Sequence, residues 1–352
     1  MGKNVTIVQI AKECGVSAAT VSRVLNGTAP GSEEKRRRIQ ETMARHRYSP
    51  NALARGLVNR QSMTLGVLIP DITNPYFSSM FTEFEAAAQA AGYSLLLCNT
   101  AFSANRAGER TKRETDYFRT MVDKRVDGVL IVGGQADLNA PSESYRAALR
   151  ELADTLPVVV LGNPIPGINC RFLQRERGRG VFASVSYLSN LGHKRIAFAY
   201  GREELIFYRE RYRGYCDALK DAGLPYDEHL VMRETSGAEC FYHLTRALME
   251  LPQPPDAIFA SSDPKAFVIM HALHDLGKRI PADVSVLGFD NVAMASMVEP
   301  PLSTMAQPFR EIGATAAKSV IRQIRYKEEH GVLPPANSYV MAYDLIIRRS
   351  TN

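Results

Sequence analysis

Residues 6–26, TIVQIAKECGVSAATVSRVLN, decide how the rest of the chain is read. Thr6 and Gln9 have the spacing of a capping box, so a helix starts at Ile7. Ile10 and Ala11 give it an apolar face, and Gly15 after Cys14 suits a left-handed stop. Ser17 can cap a second helix in which Val21, Val24 and Leu25 recur at inward spacing. A second helix that begins so soon must cross the first steeply. That is helix-turn-helix geometry, in which the second helix enters a major groove.

The charge lies at the same end. Residues 1–62 hold eleven Lys/Arg, among them Lys35 to Arg38, against Glu13, Glu33, Glu34 and Glu41, a net +7. The whole chain is +6, so everything after residue 62 is close to neutral. A patch this one-sided fits a polyanionic partner. The run from Lys35 to Arg38 alone reads equally well as a solvated face. Combined with the two-helix pattern it points to nucleic acid. A third helix is expected from Ser32, with Glu33 and Glu34 in its positive first turn. Its Ile39 and Met43 would close a three-helix core with Ile10, Val21 and Leu25, and Tyr48-Ser49-Pro50 would end it. The next stretch, NALARGLVNR (51–60), has helix-forming character and one prominent apolar residue, Leu57. It is too small to bury its own apolar face and suits a linker that folds only in a complex.

A length of 352 residues implies two or three domains, and 45% hydrophobic content is ordinary for a globular protein. No run approaches the roughly 18 apolar residues of a membrane span. Thr6, Gln9, Lys12 and Glu13 interrupt any apolar core of a signal peptide. Cys14, Cys98, Cys170, Cys216 and Cys240 are scattered, with no CxxC or Cys/His pairing that suggests a metal site. The expectation is a cytoplasmic protein without cofactor or metal.

From Leu65 short apolar runs recur: LGVLIP (65–70), YSLLLCN (93–99), DGVLIVGG (127–134), PVVVLGN (157–163), RIAFAYG (195–201), AIFAS (257–261) and VSVLGFD (284–290). Amphipathic helical stretches separate most of them, at 76–91, 106–124, 181–191, 209–222 and 264–277. That alternation means parallel sheets covered on both faces, and seven strands fit two similar α/β lobes. A helix at 308–327 and a strand at 339–347 follow. A cleft between the lobes would bind ligands beyond the carboxyl ends of the strands.

These stretches together resemble the lactose-repressor/galactose-repressor family of bacterial transcription regulators. The resemblance rests on VTIVQIAKECGVSAATVSRVLNG (5–27), YSPNALARGL (48–57), LGVLIPDITNPYF (65–77), LGHKRIAFAYG (191–201), RYRGY (211–215), VSVLGFDN (284–291) and PPLSTMAQPFREIG (300–313). It implies an all-α helix-turn-helix headpiece at 1–49, a hinge helix at 50–62 and a periplasmic-binding-protein-like core of two parallel-sheet lobes at 63–352. The first lobe is expected at about 63–163 and 293–323, the second at about 164–292 and 324–352. It also implies a homodimer, probing a pseudo-palindromic operator in double-stranded DNA. A sugar or sugar-derived effector between the lobes, neutral or anionic, would control operator affinity. Repression is the default mode. The C-terminal end shows no leucine heptad of the kind that makes tetramers in some relatives.

The resemblance carries over to individual positions. Thr6 and the recognition-helix residues Ser17, Ala18, Ala19, Thr20, Ser22, Arg23 and Asn26 would meet DNA. Arg23 could reach guanine, while Ala18 and Ala19 offer only apolar contact. Thr20 and Ser22 also read as caps or solvated face. Leu57 matches the family's minor-groove wedge, supported by Asn51, Ala54 and Arg55. For the effector, the implied set is Asn74, Phe77, Arg211, Ser262, Asp263, Asp290, Gln307 and Phe309. Tyr76 or Phe77 would stack on a sugar face, the other being core. Asp263 reads equally as a helix cap, and Ser262 stands where many members carry an amide. Before the helix at 181 the family usually has an Asp-Asn pair, where this chain has Arg175-Glu176-Arg177-Gly178-Arg179. Those arginines are either contacts for an anionic effector or a surface loop.

Two other classes fit less well. An enzyme would need a phosphate loop or a base–nucleophile grouping. Neither GxGxxG, GxxxxGK[ST] nor HExxH occurs. A secreted sugar-binding protein would explain the lobes but not residues 1–62.

Overall fold

The computed structural model describes residues 5–25, 33–46, 61–102, 107–235, 237–334 and 339–351. The chain divides into two compact units, Met1–Ser62 and Met63–Asn352. Asn26, Asn51, Ala54, Arg55 and Leu57 lie outside the described residues.

The first unit contains α1 (Ile7–Cys14), α2 (Ala18–Leu25) and α3 (Glu33–Arg45). The capping box forms. The Gln9 N–H donates to Thr6 Oγ1 at 3.4 Å, and the Thr6 N–H donates to Gln9 Oε1 at 2.7 Å. Gly15 ends α1 with φ 63°, and Ser17 Oγ accepts from the Thr20 N–H at 3.1 Å to start α2. Ile10, Ala11, Cys14, Val21 and Ile39 form the buried centre, with Val24 and Met43 packed against it. Glu13 ties α1 to the end of α3 through Arg45 at 2.7 Å and His46 at 2.6 Å.

The second unit holds two sheets. One contains β1 (Thr64–Ile69), β2 (Ser94–Asn99), β3 (Gly128–Val132), β4 (Val158–Leu161), β5 (Arg171–Arg175) and the late strand β11 (Tyr339–Met341). Its order is β2-β1-β3-β4-β5-β11 and every pair is parallel. The other contains β6 (Ile196–Tyr200), β7 (Val231–Arg233), β8 (Ala257–Ala260), β9 (Ser285–Asp290), β10 (Ser303–Ala306) and β12 (Asp344–Ile346). Its order is β7-β6-β8-β9-β10-β12, parallel except for the antiparallel β10–β12 pair. The two lobes thus repeat one winding order. In each, the order reverses beside the first strand, which opens a crevice at the carboxyl strand ends.

Helices α4 (Pro75–Gln89), α5 (Ala107–Asp123) and α6 (Glu143–Thr155) belong to the first lobe. The second lobe has α7 (Arg177–Asn190), α8 (Ile206–Asp221), α9 (Cys240–Met249) and α10 (Asp263–Asp275). Helix α11 (Phe309–His330) returns to the first lobe, where Ile312, Ala316, Val320 and Ile324 make a buried stripe at every fourth position. Met80, Phe84 and Ala88 of α4 bury into the same cluster.

The sheets move the lobe limits away from the sequence expectation. β5 lies in the first sheet, not in a lobe that begins at 164. Residues 293–306 stay with the second lobe because β10 pairs with β9. Residues 324–341 belong to the first, through the end of α11 and the β11–β5 pairing. The single strand expected at 339–347 is two strands, one in each sheet. Residues 342–343 carry the chain across, so no one sheet could hold the whole run.

The glycine in RYRGY has a packing reason. A Cβ on Gly214 would stand 2.2 Å from the Gly178 carbonyl oxygen, so α7 and α8 touch backbone to backbone there. Gly214→Ala should destabilise the core by about 1–3 kcal/mol, read as a lower urea midpoint with unchanged m-value. An unchanged midpoint would mean the two helices can part without loss.

Candidate functional site

The carboxyl ends of the strands converge on a cavity of about 310 Å³ within the second unit. Pro70 and Asp71 enter it after β1, Val132 to Gly134 after β3, and Arg175 at the end of β5. From the other lobe come Arg202 after β6, Ser262 after β8 and Asp290 at the end of β9. The volume lies at the low end of ordinary ligand pockets and suits a molecule of monosaccharide size.

Of the sequence-predicted effector set, Asn74, Phe77, Arg211, Ser262, Asp290 and Gln307 line this cavity. Asn74 also caps α4, its Oδ1 accepting from the Tyr76 N–H at 3.0 Å. Arg211 is buried, donates to the Ser261 carbonyl, stands 3.6 Å from Asp290 Oδ1 and lies 4.0 Å from the Phe289 ring centroid. Asp290 has φ 115°, a backbone region that residues with a Cβ rarely occupy. Strain of that kind persists only where the surroundings over-determine it, and it clusters at binding sites.

Two members of the set do not line the cavity. Asp263 is fully buried against protein, its Oδ1 accepting from the Thr304 hydroxyl at 2.6 Å and its Oδ2 from the Val292 N–H at 2.8 Å. It anchors the loop after β9 and so fixes the backbone that carries Asp290. Phe309 packs in the first lobe, 5.6 Å from the Tyr76 ring. Of the two candidate stacking aromatics, Tyr76 and Phe77 both line the cavity and both pack against the core.

The arginines of the RERGR stretch separate. Arg179 is exposed and pairs with Glu176 at 2.7 Å. Arg177 is buried between Asp137 and Glu210, each at 3.4 Å. Arg175 is buried beside Tyr76 and donates to Gln307 Oε1 at 2.9 Å. The sequence pointed at this stretch but could not sort its residues. It gave no signal for Lys265, which is buried in the cavity wall and donates to Tyr208 Oη at 2.7 Å and Glu234 at 3.0 Å. Burial alone would lower the Lys265 pKa, but Tyr208 and Glu234 outweigh it and hold the amine above its ordinary value. Asp137, on the turn after β3, was also missed.

Several contacts bridge the two lobes around the cavity. Arg177 meets Asp137, the Asn163 amide donates to Glu210 at 2.7 Å, and Asn139 Nδ2 donates to the Glu203 carbonyl at 2.8 Å. Leu138 and Leu205 form an isolated backbone bridge.

In the first unit, Ser17, Ala19 and Arg23 are exposed on α2, while Thr20 and Ser22 are half-buried. Ala18 is half-buried and packs against the helical core. Thr6 is exposed at the start of α1. Lys35 to Arg38 form an exposed basic face on α3.

Residues 6–51 match the family described as bacterial regulatory proteins, lacI family, and residues 185–351 match a periplasmic binding protein-like domain. The HTH-type transcriptional regulator DegA of Bacillus subtilis is 31% identical over 99% of this chain and 98% of its own length. The chain belongs to the LacI family. It is a DNA-binding transcriptional regulator with a periplasmic-binding-protein-like core. Among solved structures, the lac repressor dimer bound to operator and the anti-inducer ONPF has the same fold, with TM-score 0.82 at 24% identity and 99% of each chain covered. The complex of the regulator CelR with cellobiose aligns with TM-score 0.69 at 25% identity, over 98% of this chain and 99% of that one. No helix among the described residues is long and apolar enough to cross a membrane.

Two carboxylates buried in the protein behind the strand ends, Glu114 and Asp263, are held above the ordinary carboxylate range. Burial pushes Glu114 up to about 8, against the Gln135 N–H that donates to it and with help from Asp137. Burial, then the Asp290 charge, pushes Asp263 up to about 7. Both values exceed those of the unfolded chain, so stability from these groups is full below the ordinary carboxylate range and is lost progressively as pH rises from there toward about 7 for Asp263 and about 8 for Glu114. Glu114→Gln should remove its share. Between pH 5 and 7 the wild type should fall behind this variant by up to ~1.4 kcal/mol per pH unit in urea unfolding. Parallel pH profiles for the two proteins would show that Glu114 titrates as an ordinary carboxylate.

Proposed function

We propose that this regulator is a dimeric repressor whose operator affinity is set by a sugar-derived effector in the inter-lobe cavity. The cavity carries this reading: carboxylates, an amide and arginines from both lobes face one space of monosaccharide size. A molecule that touches both walls would hold the lobes in one arrangement, and only a ligand with unequal affinity for two arrangements can shift their balance. The role of the cavity in this reading is binding, not catalysis. Arg23, exposed in the last turn of α2, reads base edges, with Ser17 and Ala19 beside it. Leu57 enters the minor groove, supported by Asn51, Ala54 and Arg55.

Support for a second copy comes from Met294 and Met297, which are 53% and 77% exposed, three positions apart at a short 3-10 helix over Ala293–Ser296. Apolar side chains that emerge together at that spacing mark an interaction surface. The known dimer of the lac repressor agrees with this reading.

Footprinting on genomic fragments should yield a protected pseudo-palindrome whose affinity falls steeply with salt. On that site Arg23→Ala should lose about 1–3 kcal/mol of binding and relax preference at one position of each half-site. Retention of full affinity and specificity would remove Arg23 from base reading. Met297→Asp should shift sedimentation toward monomer and weaken operator binding with it. A variant that stays dimeric would move the interface elsewhere.

A further inference from the structure

We infer that the effector is an acid, a polyhydroxylated molecule bearing a carboxylate or phosphate, and that Arg175 receives the anionic group. This rests on the reading of the cavity as an effector site. Arg175 is 8% exposed at the end of β5 and lines the cavity. Its Nη1 donates to Tyr76 Oη and to Gln307 Oε1, both neutral acceptors. Its buried Nε has no hydrogen-bond partner. A guanidinium does not lose its proton, so the charge stays.

The other cations of the wall each face a carboxylate. Arg177 meets Asp137 at 3.4 Å, Arg202 meets Glu204 at 3.5 Å, Arg211 meets Asp290 at 3.6 Å and Lys265 meets Glu234 at 3.0 Å. Among the described residues no carboxylate pairs with Arg175. The Asp137 charge acts on Arg175 only from beyond ion-pair distance, and a buried charge without a contacting counter-ion is costly, a cost that an anion from outside the chain lowers. The planar fork of arginine matches a carboxylate or phosphate edge. Asp290 and Asn74, in the same wall, accept from hydroxyl groups. One charged end and several hydroxyls, in a cavity of about 310 Å³, describe an aldonic acid, a uronic acid or a sugar phosphate.

The position of Arg175 ties the anion to movement. β5 ends at Arg175 and the chain then crosses to the second lobe at α7. Gln307 lies on the second crossing, and it donates to Asp290 Oδ1 at 2.5 Å while accepting from Arg175. The third crossing follows β11, whose Met341 is the register partner of Arg175. An anion on Arg175 therefore sits where the lobes hinge.

The test uses the full chain, by thermal shift and calorimetric titration at matched ionic strength. Glucose, galactose and ribose form the neutral set. Gluconate, glucuronate and galacturonate form the carboxylate set, and glucose 6-phosphate and ribose 5-phosphate the phosphate set. Inorganic phosphate is run beside them as the anion alone. A member of the acid sets should raise the Tm where its neutral counterpart does not, and the two acid arms separate carboxylate from phosphate. Inorganic phosphate should stabilise wild type more than Arg175→Gln. That variant should bind the acid about ten- to a hundredfold more weakly, with Arg175→Lys in between. Without ligand, Arg175→Gln should melt at or above wild type, because a buried charge without a contacting carboxylate has been removed.

A neutral sugar that binds as tightly as its acid overturns the inference and leaves the effector reading standing. So does an equal response of wild type and Arg175→Gln to inorganic phosphate, or a ligand-free Arg175→Gln that melts several degrees lower, the mark of a structural brace for Tyr76 and Gln307. If an acid binds through Arg175 but leaves operator affinity unchanged, the inference stands and the effector reading falls.

Discussion

Three crossings of the chain between the two sheets govern this molecule. They follow β5, β10 and β11, and they meet at one end of both sheets. Each lobe alone would be an ordinary parallel sheet with a crevice at its carboxyl edge. Joined three times at that edge, the two crevices face each other and become one cavity. The hydrogen-bond chain Arg175–Gln307–Asp290 runs through this junction, from the last residue of β5 to the last residue of β9. Cavity lining and inter-lobe crossings therefore share the same few residues.

The electrostatics of the core follow from the same closure. Many of the charged side chains at the strand ends are buried, so they must find partners or change protonation. Asp137 and Asp290 are pushed above the ordinary carboxylate range by burial, with Arg177 and Arg211 respectively pulling the other way. Lys265 is held charged by Tyr208 and Glu234. Asp263 satisfies the Val292 N–H and the Thr304 hydroxyl, and thereby holds the strained turn at Asp290 and Asn291 in place. A residue that looked like a ligand contact from its place after β8 is thus a brace for the residue that does face the cavity.

The first unit obeys different physics. Its buried centre is small, so local devices matter more: the capping box at Thr6, the left-handed Gly15, the Ser17 cap, and Glu13 clamped by Arg45 and His46. These rest on short-range spacing, and all but the last were legible in the sequence. The helix-turn-helix was for that reason readable residue by residue, while the separation of exposed Ala19 from half-buried Ala18 needed the packing of three helices.

Periodicity and local chemistry determined the class of both units, the strands buried on both faces and the helix stripes, while the family resemblance of the chain's motifs pointed to Asn74, Arg211, Asp290 and Gln307, which line the cavity. Their signal lies in spacing along the chain, which a sequence records directly. Strands β5, β7 and β10 escaped because RFLQR, VMR and STMA are too short or too polar to carry a pattern. Tertiary structure alone decided where the lobes begin and end, that residues 339–346 split between two sheets, and that Asp263 and Phe309 turn away from the cavity. It alone separated exposed Arg179 from paired Arg177 and from Arg175, which among the described residues has no carboxylate at ion-pair distance. The reason is that such distinctions depend on which distant groups share a buried space, and no local spacing encodes that.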